Sequence, residues 1–321
     1  MLVDWRESPP ERYAFLRQAG GVEARWWRVL HVLALGGLAG LLAASLVMLV
    51  VLGIAAGLMA AGGSVGVTEA INVLTDFGRT GRTLQSYVFE LALAGLSSFT
   101  AAWTFIAIAA RIERRPRLSF LTIAPRFRWR LVGLGLAVAA PVLGVSVIIA
   151  YLTGDASQAP VLTTGAPVWA RLTYVAASAV FLCLAALAEE MLFRGWLLQQ
   201  TSVFVRKVAL LLVVNGLLFS VAHADPNLGS FLIRAAMGAA WAWVVLRTGG
   251  LEFALGAHLA NNLMVSLFIK PVSLAPIAAR PFDYFELAIE VIGLALIVGI
   301  VEWLVRTRAM GRAPSLPASR S

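Results

Sequence analysis

The sequence is poor in most of what a soluble protein needs. There is one cysteine, Cys183, in 321 residues, which excludes an internal disulfide framework and a cysteine-based metal site. Charged residues make up only 13% of the chain, with 17 acids against 26 Lys and Arg. A soluble domain of this length needs far more polar surface than that. Histidine is scarcer still, with His31, His223 and His258 making the full set of three. What fills the chain is hydrophobic residues, 60% of the total, at a mean hydropathy of +0.84.

Those proportions predict an all-α fold, a polytopic bundle of transmembrane helices. The length allows about eight spans of roughly 20 apolar residues each. Segment 1–28 carries Arg6, Arg12, Arg17, Arg25 and Arg28; the run 29–61 is too long, and this charged leader too extended, for a cleavable signal peptide. Spans are expected at 29–61, 86–110, 131–152, from Val168, 208–222, 228–246, 251–269 and 284–305. The Gly- and Thr-rich stretch 62–85 reads as a loop, and the tail 306–321, with Pro314 and Pro317, as disordered and basic. Gly36 and Gly40 in the first span favour close helix packing.

The net charge of +9 does not point to nucleic acid, because the arginines gather between apolar runs. Seven lie between Arg111 and Arg130, where anionic headgroups are the expected partner. Lys and Arg also cluster in the N-terminal segment, at Arg206 and Lys207, at Arg247 and in the tail. Alternate loops are poor in them, with none in 153–167, whose one charge is Asp155. This pattern predicts an integral protein of a bacterial cytoplasmic membrane, with both termini and the 111–130 loop in the cytoplasm.

The apolar run that has carried no charge since Arg171 ends in Ala188-Glu-Glu-Met-Leu-Phe-Arg-Gly195. A charged side chain near the bilayer centre costs roughly 2.5–3.5 kcal/mol, so Glu189 and Glu190 together mark a functional position. Arg194 lies four residues from Glu190, on the same helix face. His258 and Asn262 have the same spacing in a later span. Glu189 and His223 are symmetric about position 206, so an antiparallel hairpin puts them at one depth, roughly 25 Å from its tip at 1.5 Å per residue. Burial and a like neighbour both favour the neutral form of a carboxyl group, whereas an arginine one turn on favours the ionised form. The pair should therefore divide into a structural Glu190 and a tunable Glu189, with His223 alongside to move a proton. His258 and Asn262 are of the type that donates to an oxyanion. The residues alone leave open water attack on a peptide bond, a proton relay in a transporter, and a scaffold whose buried polar network fixes helix packing.

Glu-Glu-x-x-x-Arg, Phe-x-x-x-His and His-x-x-x-Asn, in that order along the later spans, resemble the motifs of the CAAX-protease and bacteriocin-processing (CPBP) family of intramembrane endopeptidases. The resemblance covers 168–270, spans four to seven, and separates this core from 29–167 and from 271–305. It implies a glutamate-dependent endopeptidase with a water activated by Glu189 and His223. It also implies an oxyanion site at His258 and Asn262, with Glu190 and Arg194 in support. The implied partners are membrane lipid and a membrane-associated peptide or protein substrate, with no nucleic acid. No cofactor is expected; were zinc used, its ligands would be Glu189, His223 and His258 with water as the fourth.

Other polar residues take structural readings. Arg234 is expected to pair internally, with Glu290 as a candidate. Glu286 and Glu302 are expected to reach the interface, and Trp241 and Trp243 to form an interfacial aromatic belt.

Overall fold

The computed structural model describes residues 3–19, 25–63, 65–154, 159–162, 165–307 and 309. Asp155 and the tail from 310 onward lie outside the described residues. Among the described residues nine helices account for the fold: α1 (Trp26–Ala61), α2 (Val67–Thr75), α3 (Leu84–Glu113), α4 (Trp129–Thr153), α5 (Val168–Ser202), α6 (Val208–Ala222), α7 (Leu228–Thr248), α8 (Glu252–Phe268) and α9 (Tyr284–Arg306). Among the described residues there is no strand, only two isolated bridges. The protein is a polytopic helical bundle.

Eight of these helices fall on the expected spans, and six are long and apolar enough to cross a membrane. The exceptions are α6 and α8, with 15 and 17 residues, which reach only about 22–26 Å at 1.5 Å per residue. α8 carries His258 and is buried inside the bundle, whereas α6, which ends at His223, packs on α7 and leaves Leu210, Val213 and Val221 exposed. α5 has 35 residues, so it overshoots the bilayer and projects the α5–α6 tip beyond it. The expected loop 62–85 contains α2, whose Val67, Ala70, Ile71 and Leu74 share one face.

Local chemistry sets the helix ends. The Thr83 hydroxyl caps α3, accepting from the Ser86 amide, and Asp283 caps α9 by accepting from the amides of Phe285 and Glu286. α4 and α7 stop at Gly154 and Gly249, whose φ values of 87° and 73° are open to glycine without strain.

Bare backbone brings the helices together. A side chain at Gly135 of α4 would strike the Phe253 carbonyl of α8, and one at Gly256 of α8 would strike the Val132 carbonyl of α4. Gly216 and Gly238 set the α6–α7 crossing in the same way. Gly40 faces the Ala101 carbonyl of α3, so the small residues of α1 serve packing within the chain. α5 lies in the middle, between α3 and α8; α4 backs α8, and α9 leans on α7 and α4.

The basic segments meet at one end. The Trp5 amide donates to the Arg206 carbonyl (3.1 Å) and the Val208 amide to the Val3 carbonyl (3.0 Å). Gln18 donates to the Thr122 carbonyl, and Arg115 donates to the carbonyl of Gln18. Tyr13, Phe15 and Leu16 are buried in the main core, so the N-terminal segment is a folded cap over the α5–α6 tip.

Two sequence expectations change. Arg234 pairs with Asp225 at 2.6 Å rather than with Glu290, because the turn after α6 brings Asp225 against the first half of α7. Trp241 is wholly buried and so belongs to no interfacial belt, since α7 is covered by both α6 and α9. Trp243 donates to Glu302 at 3.0 Å, and Glu302 also pairs with Arg247. Glu286 does reach the surface, paired with Arg280 at 2.9 Å.

Candidate active site

The site is built where α5 changes winding. From Glu190 to Leu197 the helix takes wide π turns, the Leu198 amide reaching back to the Phe193 carbonyl. Such wide turns interrupt α-helices mostly at functional positions. Here they keep Glu189, Glu190 and Arg194 facing α6 and α8. Asn215 of α6, itself buried, supports them by donating to the same Phe193 carbonyl at 2.8 Å.

Five of the six expected residues come together. Glu190 is fully buried and its Oε1 lies 3.1 Å from Arg194 Nη1, while His258 Nδ1 approaches the same oxygen at 2.8 Å. Glu189 stands on the other side. Its Oε2 is 3.8 Å from His223 Nε2 and 3.5 Å from His258 Nε2. The side chains of Glu189 and His223 are 31% and 27% exposed, whereas Glu190 and Arg194 are sealed. One carboxylate is therefore walled in and the other opens outward, as the division into structural and tunable members requires.

Asn262 lies one turn beyond His258, half-buried. Its carboxamide oxygen accepts from Asn261 at 3.3 Å, and its amide donors make no hydrogen bond among the described residues. Among the described residues it makes no hydrogen bond with Glu189 or His223, and it flanks the cluster along α8.

Backbone and carboxylate partners fix the histidine tautomers. His223 Nδ1 lies 2.8 Å from the Phe219 carbonyl, which only accepts, so Nδ1 carries a proton and Nε2 is the atom turned towards Glu189. His258 Nδ1 likewise donates to the Glu190 carboxylate, so its Nε2 donates only when the ring is doubly protonated. Phe219 is the apolar hub, with ring centroids 4.7 Å from His223 and 6.1 Å from His258, and Arg194 Cζ 4.1 Å above its face.

The cluster is left partly unsatisfied. Glu189 Oε2, Glu190 Oε2 and the three Arg194 side-chain nitrogens are buried without a well-formed hydrogen bond. Buried polar atoms are nearly always paired, so such a concentration calls for a reason. Among the described residues no group of three His, Cys, Asp or Glu side chains could hold a metal ion.

Residues 171–264 match the family model described as Type II CAAX prenyl endopeptidase Rce1-like. This segment is Rce1-like. It begins in α5 and ends in α8, and so contains all six site residues. The "Uncharacterized protein YyaK" of Bacillus subtilis (strain 168) is 28% identical over 165 residues, covering 49% of this chain and 54% of YyaK. The chain thus spans about half the length of that relative. No solved structure matches. The match is thus confined to the segment that carries the site, from α5 to α8.

Sequence reasoning missed Phe219 as a contact residue, Asn215 as a support and the wide turns themselves. Asn215, Phe219 and His223 recur every four residues along α6, and that spacing was the available signal.

Proposed function

We propose that the protein is an intramembrane endopeptidase that hydrolyses a peptide bond of a membrane-associated protein or peptide, with no covalent enzyme intermediate. The observation that supports this best is Glu189 Oε2. It is buried, without a hydrogen bond, and lies between two histidine Nε2 atoms at 3.5 and 3.8 Å.

In this reading Glu189 and His223 hold the attacking water, and the bare His223 Nε2 with the Glu189 carboxylate removes its proton. The hydroxide oxygen bonds to the scissile carbonyl carbon. Asn262 Nδ2 and His258 donate to the resulting oxyanion. Collapse breaks the C–N bond, and the proton held by the Glu189–His223 pair passes to the leaving amine. Water is consumed, and an acid and an amine are released. Glu190 and Arg194 keep the wide turn and His258 in place. The basic end, with the N-terminal cap and the 111–130 loop, faces the cytoplasm; labelling of a Ser119→Cys, Cys183→Ser variant from outside intact cells would overturn that orientation.

The test is a comparison of membrane proteomes from cells carrying wild-type protein or Glu189→Ala. New peptide termini confined to wild-type membranes are expected. Identical termini in both, from well-expressed proteins, would refute the proposal.

A further inference from the structure

His223 ends α6, and the turn that follows it is unusual. Ala224 adopts φ +47°, one of two positive-φ residues other than glycine among the described residues. The left-handed region costs an L-residue roughly 1–2 kcal/mol, so something must hold Ala224 there. The next residue does. The Asp225 carboxylate is only 3% exposed and lies 2.6 Å from Arg234 of α7. Its Oδ1 also accepts from the backbone and side-chain nitrogens of Asn227, both at 2.9 Å. Asn227 is tied in turn to the segment between α8 and α9, donating to the Ala278 carbonyl (3.1 Å) and accepting from the Arg280 amide (2.7 Å). Burial alone would raise the Asp225 carboxyl, but the hydrogen bonds from Arg234 and Asn227 hold it down at about 2, so the carboxylate is charged at any working pH.

We infer that Asp225 and Arg234 are positioning residues for His223. By pinning the turn one residue beyond Ala224, they fix where α6 ends and keep the imidazole directed at Glu189. None of these side chains touches the carboxylate pair, so their influence passes through His223. The inference rests on the hydrolytic reading for its consequence to the reaction, though not for the geometry itself. A misplacement of about 1 Å in such a group can cost on the order of 100-fold in rate.

The scarcity of histidine makes the geometry measurable. Protein labelled with 13C and 15N in histidine alone has three imidazoles, at 31, 223 and 258, assignable by single His→Gln changes. His31, held by the Trp27 carbonyl at the opposite end, is the internal reference. In lipid nanodiscs, Asp225→Asn and Arg234→Gln should displace or split the His223 signals and leave His31 unmoved. Arg234→Lys, which keeps the charge, should restore them. His223 signals unchanged in both variants, or displaced equally with His31, would overturn the inference. The second arm uses a farnesylated, internally quenched peptide ending in a CAAX sequence. The two variants should lose about 10–100-fold in kcat with KM unchanged, and an unaltered kcat would also count against the inference. If wild-type protein and Glu189→Ala are equally inert towards this peptide, the CAAX-type substrate reading fails while the spectra still decide the positioning role.

Discussion

Glu252 and Glu190 are both fully buried carboxylates that face an arginine, yet their surroundings differ. Glu252, in the first turn of α8 at the basic end, accepts from the Arg128 backbone amide (3.2 Å), from Nε (2.9 Å) and from Nη2 (2.8 Å). Arg128 spends its remaining reach on the Thr248 carbonyl at 3.1 Å. Everything there is matched, and the helix N-terminus adds to the attraction. In the interior, Glu190 shares one oxygen between Arg194 and His258 and leaves the other bare. A matched buried pair joins α4 to α8. The cluster in the interior is mismatched instead, and local rules fail mostly where chemistry is expected.

If that contrast is right, mutations in the two regions should fail in different ways. The largest effect belongs to Glu189→Ala and His223→Ala, which should lower kcat on a validated substrate by about 100- to 10,000-fold and leave the detergent-solubilised fold intact. Near-normal turnover by either variant would exclude the water-activating pair. Asn262→Ala comes next, with a loss of about 100- to 1,000-fold if its amide is an oxyanion donor; a rise in KM alone would assign it to binding instead.

Glu252→Ala should do the reverse, leaving Arg128 partly buried without its partner. The expected cost is about 3 kcal/mol of stability, at the low end for buried pairs because Arg128 is 23% exposed. Protein that remains folded should keep its kcat. Unfolding in mixed micelles measures the first and single-turnover cleavage the second, and a stable but inactive Glu252→Ala protein would erase the contrast.

How much of this was legible beforehand depended on chain distance. The meeting of Glu189 with His223 could be read because a hairpin with a basic tip turns sequence distance into depth. The wide turns at Glu190–Leu197 could not, because a change from four- to five-residue hydrogen bonding leaves no mark on composition. Glu290 is a candidate for Arg234 because both lie in apolar runs, whereas its partner, Asp225, sits nine residues away at a turn. Trp241 was misplaced for another reason: an apolar helix does not declare which of its faces meets protein and which meets lipid. The N-terminal segment was read from its charge alone. Trp5, Tyr13, Phe15 and Leu16 carried the signal that it packs.

A smaller effect separates the turn anchor from the site. Asp225 has its carboxyl lowered from the ordinary 3.8 to about 2. A group whose value falls on folding contributes stability above its unfolded value and loses it as pH drops through the folded one. Wild-type protein should therefore exceed Asp225→Asn by about 1–2 kcal/mol above pH ~4, discounted because Arg234 is partly exposed. The gap should close as pH falls towards about 2. A gap that stays constant down to pH ~2 would mean that the ion pair contributes nothing through charge.

The smallest expected effect is none. Zinc and carboxylate chemistry make opposite demands on the same three side chains. A catalytic zinc would take Glu189, His223 and His258 as ligands and activate water by polarising it. Both histidines do turn Nε2 towards Glu189, and the Phe219 carbonyl and the Glu190 carboxylate orient them as such partners orient ligands. Yet Asn262, a poor zinc ligand, stands on the same helix face as His258, and among the described residues its amide donors make no hydrogen bond. That arrangement suits an oxyanion better than a cation. Purified protein is therefore expected to hold far less than one zinc per chain by elemental analysis, and to keep its rate in a strong chelator. Stoichiometric zinc, with activity lost on chelation and restored by zinc, would transfer the water to the metal and leave His223 a ligand rather than a base.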